Sequence, residues 1–337
     1  MLREKHSIRV ARRRLAMFAG LLALALILPC LSWGAETKVA KLGLIAPVGH
    51  PVQQASERLA KLVAERTQNR LQIQVFPGGT LGGEIDLRDG VSLGTVQMAG
   101  IGYPILNGIV KEMEILNLYY LWRDRNHMMK VINGPIGAGF NQQLLAKNVD
   151  VLAANWQQGT RQTLTKRPAR NIKEFNGIKI RVTAGIPVYQ DLWQAMGAIS
   201  VPLPFPELYS ALQQGVVDSV ELPLDWMWNG KFYKLGKNID LTNHFVYTNC
   251  VLINTGFLAS LPADVQKVLR DTTVEVGAWQ TEQVLGQEKD LRQKMEAEGI
   301  GFLDTDVEAF RAAVQPVYKK WESKWGKELY DRIVNTR

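Results

Sequence analysis

The residue whose setting most invites a chemical role is Arg181, in GIKIRV at 177–182. Alternation puts Ile178, Ile180 and Val182 on one face of a half-buried β-strand and Lys179 and Arg181 on the other. Charged residues on strands usually face water, so the bland reading of Arg181 is a solvated charge. The sharper reading is an anion site: a planar guanidinium offers parallel N–H donors matched to both oxygens of a carboxylate, which a lysine does not reproduce. A second pattern, GVSLG at 90–94, matches the G-x-S-x-G nucleophile elbow, with Asp and His residues following in the order an α/β hydrolase needs. A secreted hydrolase using Ser92 is therefore a rival reading. The elbow requires a strand before its serine and a helix after it, whereas EIDLRD reads as helix before Ser92 and TVQMAGIG as strand after it.

Other chemistry has less support. His6, His50, His127 and His244 include no pair at metal-ligand spacing, and the chain has no HExxH, CxxC or EF-hand loop, so neither a metal nor a cofactor is expected. GGTLGG at 78–83 carries neither the Rossmann spacing nor a following Lys-Ser or Lys-Thr, though a loop opening a helix at Glu84 can bring backbone N–H groups near a ligand. Among the tryptophans, Trp193 and Trp321 sit in helical runs and read as core. Trp156, Trp226 and Trp228 fall near strand ends or loops, where ligands are often met.

The elements that must position these residues alternate along the chain. KVAKLGLI reads as a strand, PVQQASERLAKLVAERTQ as an amphipathic helix with Pro51 in its first turn, and LQIQVF as a second strand, a βαβ beginning. The alternation continues through VDVLAANW, GIKIRV, the helix around VYQDLWQAMG, the strand AISVPL, the helix PELYSALQQG and the strand VVDSVEL. Strands interleaved with helices predict an α/β fold with largely parallel sheets. Leu261 to Glu298 is one long run of helix formers with Pro262 near its start and Gly299 after its end. At 1.5 Å per residue it would be roughly 50 Å long, enough to bridge two lobes.

The 337 residues suffice for two domains of ordinary size, and 46% hydrophobic content suits packed cores. The formal charge of +8 is uneven: Arg3, Lys5, Arg9, Arg12, Arg13 and Arg14, against Glu4, leave only +3 for residues 36–337. A near-neutral body gives a nucleic-acid footprint little support. The basic run, the uncharged LAMFAGLLALALILPCLSWGA and the polar ETK that follows read as a secretory signal peptide over residues 1–35, with a retained anchor as the rival. Only Cys250 would remain after cleavage, so no intramolecular disulfide is expected and the protein should be periplasmic.

Five ordered segments are similar to the extracytoplasmic solute-binding proteins of TRAP (tripartite ATP-independent periplasmic) transporters, the DctP family. They are HPVQQASERLAKLVAERTQNRLQIQVFPGGTLGGE at 50–84, GTRQ at 159–162, FNGIKIRV at 175–182, MGAISVPLPFPELYSALQQGVVDSVELP at 196–223 and TNHFVYTNCVLIN at 242–254. The resemblance implies a periplasmic binding protein-like fold of two α/β lobes around a ligand cleft, bridged by the long helix, with lobe I at 36–157 plus 246–286 and lobe II at 158–245 plus 287–337. It implies capture of a small organic acid, delivery to membrane permease subunits, no catalysis and no cofactor. It puts the ligand carboxylate on Arg181, a second polar contact on Arg161 and another on Glu84, with His50 at the head of the first segment counted among the ligand-facing candidates. A binding protein of an ABC-type system or a sensor is the nearer rival. This chain departs from the family at Leu222, where DSVELP has leucine in place of the usual asparagine before proline. With Trp226, Trp156 and Phe205 as further apolar walls, that change predicts a less polar ligand, and Asp225 is the residue that could restore a polar contact.

Overall fold

The computed structural model describes residues 37–337; the expected signal peptide lies outside the described residues. The first third of the chain runs β1 (Lys38–Leu44), α1 (Pro51–Arg66), β2 (Leu71–Phe76), α2 (Glu84–Leu93) and β3 (Met98–Gly102). Two short 3-10 turns at 103–117 lead to α3 (Arg125–Asn133) and α4 (Pro135–Leu145). Then come β4 (Val149–Thr165), α5 (Ile172–Phe175), β5 (Lys179–Thr183), α6 (Val188–Ala195), β6 (Ile199–Leu203) and α7 (Leu208–Gln214). The chain continues with β7 (Ser219–Leu222), α8 (Leu224–Asn229), β8 (Asn238–Asn254), α9 (Thr255–Ala259), α10 (Ala263–Ala297), β9 (Gly301–Asp304), α11 (Val307–Trp321) and α12 (Lys327–Asn335).

Local sequence explains the first elements. In β1 the buried side chains Ala40, Leu42 and Leu44 alternate, and in α1 Val52, Ala55, Leu59 and Val63 recur at helical spacing on one buried stripe. His50 caps α1, its Nδ1 accepting from Val52 N at 3.1 Å, and Pro51 takes the first turn, where its missing N–H costs nothing.

All nine strands belong to one sheet in the order β2-β1-β3-β8-β4-β7-β5-β6, with β9 added on β8. The two outer sections, β2-β1-β3 and β7-β5-β6, are parallel as the alternation predicts. The centre is not: β8 runs antiparallel to β3 and β4, and β4 runs antiparallel to β7. The expectation of a largely parallel sheet thus holds at the ends and fails where β4 and β8, each 17 residues, cross from one end to the other. A strand of that length spans about 55 Å, longer than one lobe needs. Each end of the sheet, with its helices, makes one lobe.

The long helix, α10, is 35 residues, or about 50 Å. It lies against β4, where Trp156 Nε1 donates to Thr273 O at 3.1 Å and Thr281 Oγ1 donates to Asn155 O at 2.8 Å. Gly277 permits that approach, since a β-carbon there would stand 2.3 Å from Asn155 Oδ1 and 2.5 Å from Trp156 Cδ1. No helix among the described residues is long and apolar enough to cross a membrane.

Candidate ligand-binding site

Three strands of one lobe and the middle of β8 bring the candidate residues together. Arg161 is on β4, Arg181 on β5 and Leu222 on β7, which lies between them: Gln162 pairs with Leu222, and Arg181 pairs with Val220. The two arginines therefore meet across an intervening strand rather than on adjacent ones. Glu84 enters from the first turn of α2, Phe205 from the turn after β6, and Trp226 from α8.

These six side chains line one cavity with Ile45, Thr183, Tyr247 and Asn249. Its free space is about 10 Å³, scarcely room for one water, and a neighbouring cavity of about 150 Å³ shares Glu84, Arg181, Thr183 and Phe205. The lobes meet across its mouth. A β-carbon on Gly79 would come within 2.8 Å of Pro206 and one on Gly185 within 2.8 Å of Ile85, while Asn107 Nδ2 donates to Gly185 O at 3.1 Å.

Arg181 is 1% exposed. Its Nε donates to Leu203 O at 3.0 Å and its Nη1 to Thr183 Oγ1 at 3.3 Å, both neutral acceptors. Among the described residues no carboxylate lies within ion-pair distance of it. Burial pushes its pKa down to about 10, with Arg161 adding repulsion and the more distant Glu221 and Glu84 opposing the shift. A buried cation without a counter-charge is costly, and an entering anion would relieve that cost.

Arg161 is differently placed. Its Nη1 donates to Glu221 Oε1 at 2.7 Å and to Oε2 at 2.9 Å, and its guanidinium lies 4.5 Å from the centre of the Tyr247 ring. Burial alone would lower its pKa, but Glu221 overrides that and the net shift is upward. Burial would likewise raise the Glu221 pKa, and Arg161 instead holds it below the usual carboxylate value. Burial keeps His244 below its ordinary value despite Glu221. Its Nε2 is 3.3 Å from Glu221 Oε2 and its Nδ1 is 2.8 Å from Thr242 Oγ1, which suits a neutral ring with its proton on Nε2. Arg161 leaves its Nε without a hydrogen bond.

Glu84 Oε1 accepts from Gly102 N at 2.9 Å and from Tyr247 Oη at 3.4 Å. Only glycine fits at 102, because a β-carbon would stand 1.7 Å from Tyr247 Oη. Leu222, Trp226 and Phe205 form the apolar wall, with Phe205 and Trp226 edge to face at 5.0 Å.

Two candidates lie elsewhere. Trp156 lines neither cavity: it is fully buried against α10, bonded to Thr273 O, so its position on a long crossing strand makes it core. His50 is fully buried behind Trp226, ring centres 4.3 Å apart, and also lines neither cavity. Ser92 sits one residue before the end of α2 with its Oγ donating to Lys147 O at 2.8 Å, which removes the strand-serine-helix geometry of a hydrolase. Tyr247, Asn249 and Thr183 were not singled out from sequence. Thr183 lies two residues beyond Arg181 on the same strand face, and Tyr247 and Asn249 have the same period of two, so alternation held the signal.

A larger groove of about 600 Å³ lies near the crossing strands, lined by Arg123, Arg125 and Arg311 among others. Its arginines are engaged: Arg123 with Val334 O and Thr336 O, Arg125 with Gln158 O, and Arg311 over the Tyr120 ring. Volume favours this groove, but the buried unpaired cation favours the smaller cavity, and chemistry weighs more than size here.

Residues 42–324 match the family described as bacterial extracellular solute-binding protein, family 7, DctP. The chain belongs to that family. It is 29% identical over 296 residues to the sialic acid-binding periplasmic protein of Vibrio cholerae, covering 87% of this chain and 91% of that protein. It is 30% identical to the 2,3-diketo-L-gulonate-binding periplasmic protein of Escherichia coli K12, covering 77% and 79%. A TRAP periplasmic solute-binding protein from Polaromonas, solved with D-erythronate, superposes with a TM-score of 0.84 at 28% identity, over 89% of this chain and 99% of that one. This DctP-family protein therefore has the two-lobed binding-protein fold, and the ABC-type reading gives way to the TRAP one.

Proposed function

We propose that this chain is the periplasmic capture subunit of a TRAP transporter, holding a small organic acid by its carboxylate on Arg181 and handing it to membrane permease subunits. One observation carries this reading: Arg181 is buried, charged and bonded only to neutral acceptors, in a cavity between two lobes. Arg161, its charge already balanced by Glu221, supplies a second donor, and Glu84 and Asn249 supply polar contacts to the rest of the ligand. Leu222 sits in the cavity wall with Trp226, Phe205 and Ile45. A leucine offers no hydrogen bond to a hydroxyl, so this wall favours a monocarboxylate with a less polar body over a sugar acid or a C4-dicarboxylate. A thermal-shift and calorimetry screen of 2-oxoisovalerate and phenylacetate against glucuronate and succinate tests both statements. A melting temperature raised by the first pair is the expected outcome. Response to glucuronate or succinate alone would reject the apolar preference and keep the carboxylate role.

A cavity of about 150 Å³ is below the size usual for small-molecule sites, so entry requires the lobes to part. The irregular pairing of β4 with β8 between Gln157 and Thr160 suits a pivot there, at the proposed boundary of 36–157 plus 246–286 with 158–245 plus 287–337. Small-angle scattering should show a smaller radius of gyration when a binding acid is added; an unchanged value at saturation rejects the hinge. Export is the remaining expectation: intact mass of protein recovered from the periplasm should begin near residue 35 or 36, and full-length chain in the membrane fraction would reject cleavage.

A further inference from the structure

Behind the apolar wall lies a charge that carboxylate capture does not use. Asp225 is 2% exposed, and neither of its carboxylate oxygens makes a hydrogen bond. The group facing it is His50 Nε2, 3.3 Å from Oδ2 but poorly aligned as a hydrogen bond. Because His50 Nδ1 accepts from Val52 N, the ring carries its proton on Nε2, facing Asp225. Arg125 also feels the Asp225 charge, but its hydrogen bond goes to Gln158 O.

The two residues come from opposite ends of the sheet. His50 follows β1 and opens α1 on the β2-β1-β3 side; Asp225 lies in α8, directly after β7 on the β7-β5-β6 side. The residue after Asp225 is Trp226, whose ring packs on His50 and whose Nε1 donates to Gln158 Oε1 at 2.8 Å while its other side walls the ligand cavity. We infer that His50 and Asp225 form a latch between the lobes: His50 turns its Nε2–H toward a carboxylate that closure buries, and so holds the Trp226 wall in place without touching the ligand. In the open form Asp225 would be solvated and need no partner. Loss of His50 therefore penalises only the closed state, and loss of the Asp225 charge removes the penalty.

This inference rests on the capture reading, and its test separates the two. His50→Asn keeps a side chain able to cap α1 but too short to reach Asp225. With 2-oxoisovalerate as the probe, or glucuronate if the screen selects the polar class, His50→Asn should raise the dissociation rate about tenfold with an unchanged association rate. Asp225→Asn alone should bind within about threefold of the parent, and His50→Asn with Asp225→Asn should recover most of the lost affinity, because no buried charge remains unpaired. Dissociation by His50→Asn within twofold of the parent, or a double variant no better than His50→Asn, overturns the latch. If the parent protein binds no acid of the screen, carboxylate capture fails on its own. The latch is then read from spin-label distances between the two lobes of the unliganded chain: a shift to longer separations in His50→Asn supports it, and an unchanged distribution overturns it.

Discussion

Arg181→Ala should abolish measurable capture of any acid that the parent protein binds. Its guanidinium is the buried cation with no counter-charge of its own, so a bound carboxylate would be left desolvated and unpaired. Breaking a buried pair in that way costs about 3–5 kcal/mol, or roughly two to three and a half decades in affinity. Arg181→Lys should recover only part, because an ammonium cannot present two parallel N–H donors and would also lose the bond to Leu203 O that orients the present side chain. Calorimetry on folded variants measures both effects. Binding by Arg181→Ala within a few fold of the parent would show that the carboxylate sits elsewhere.

The largest effect on stability is expected at Glu221. This fully buried carboxylate faces Arg161 directly, His244 at 3.3 Å and Arg181 at longer range. Glu221→Gln keeps the shape and removes the only ion-pair partner that Arg161 has among the described residues, leaving two arginines buried near each other without compensation. A cost of about 3–5 kcal/mol follows, readable as a lower urea midpoint. The sign of the pH dependence follows from the direction of the shift. The folded-state pKa of Glu221 is depressed, so its contribution is fully present above the unfolded value of about 4.3 and is lost as pH falls through the folded value. The stability gap between the parent protein and Glu221→Gln should therefore be flat from pH 7 to about pH 5 and narrow at more acid pH. A gap that narrows instead between pH 5 and 7 would mean that another group balances Arg161.

Much of this architecture is written locally. The stripe of Val52, Ala55, Leu59 and Val63, the cap at His50 with Pro51, the alternation in β1 and the uninterrupted helix formers of α10 each depend on neighbours within a few residues, so they can be read without coordinates. The same holds for Arg181 on the polar side of its strand and for the segments that mark the DctP family. Periodicity also weighs against Ser92 as an elbow nucleophile, and its place inside α2 removes that rival.

What a period of two cannot say is what covers each face. The polar side of β5 is half-exposed by pattern, yet Arg181 is buried there because residues from the other end of the sheet, Glu84 and Ile45, close over it. Trp156 and Trp226 looked alike as aromatics near strand ends; α10 packs on the first and the cavity opens onto the second, a difference made by contacts more than a hundred residues apart in the chain for Trp156. That strands cross between the lobes follows from the lack of a linker, but the antiparallel direction of β4 and β8 depends on partners far apart in the chain and is not legible locally. Sequence alone thus determined the elements, the family and the residue types able to hold an anion, since these follow from local conformational preference and side-chain chemistry. Tertiary structure alone decided which charges lack partners, which is a matter of burial and distance: Arg181 unpaired in the cavity, Arg161 matched by Glu221, and Asp225 facing His50 across the lobes.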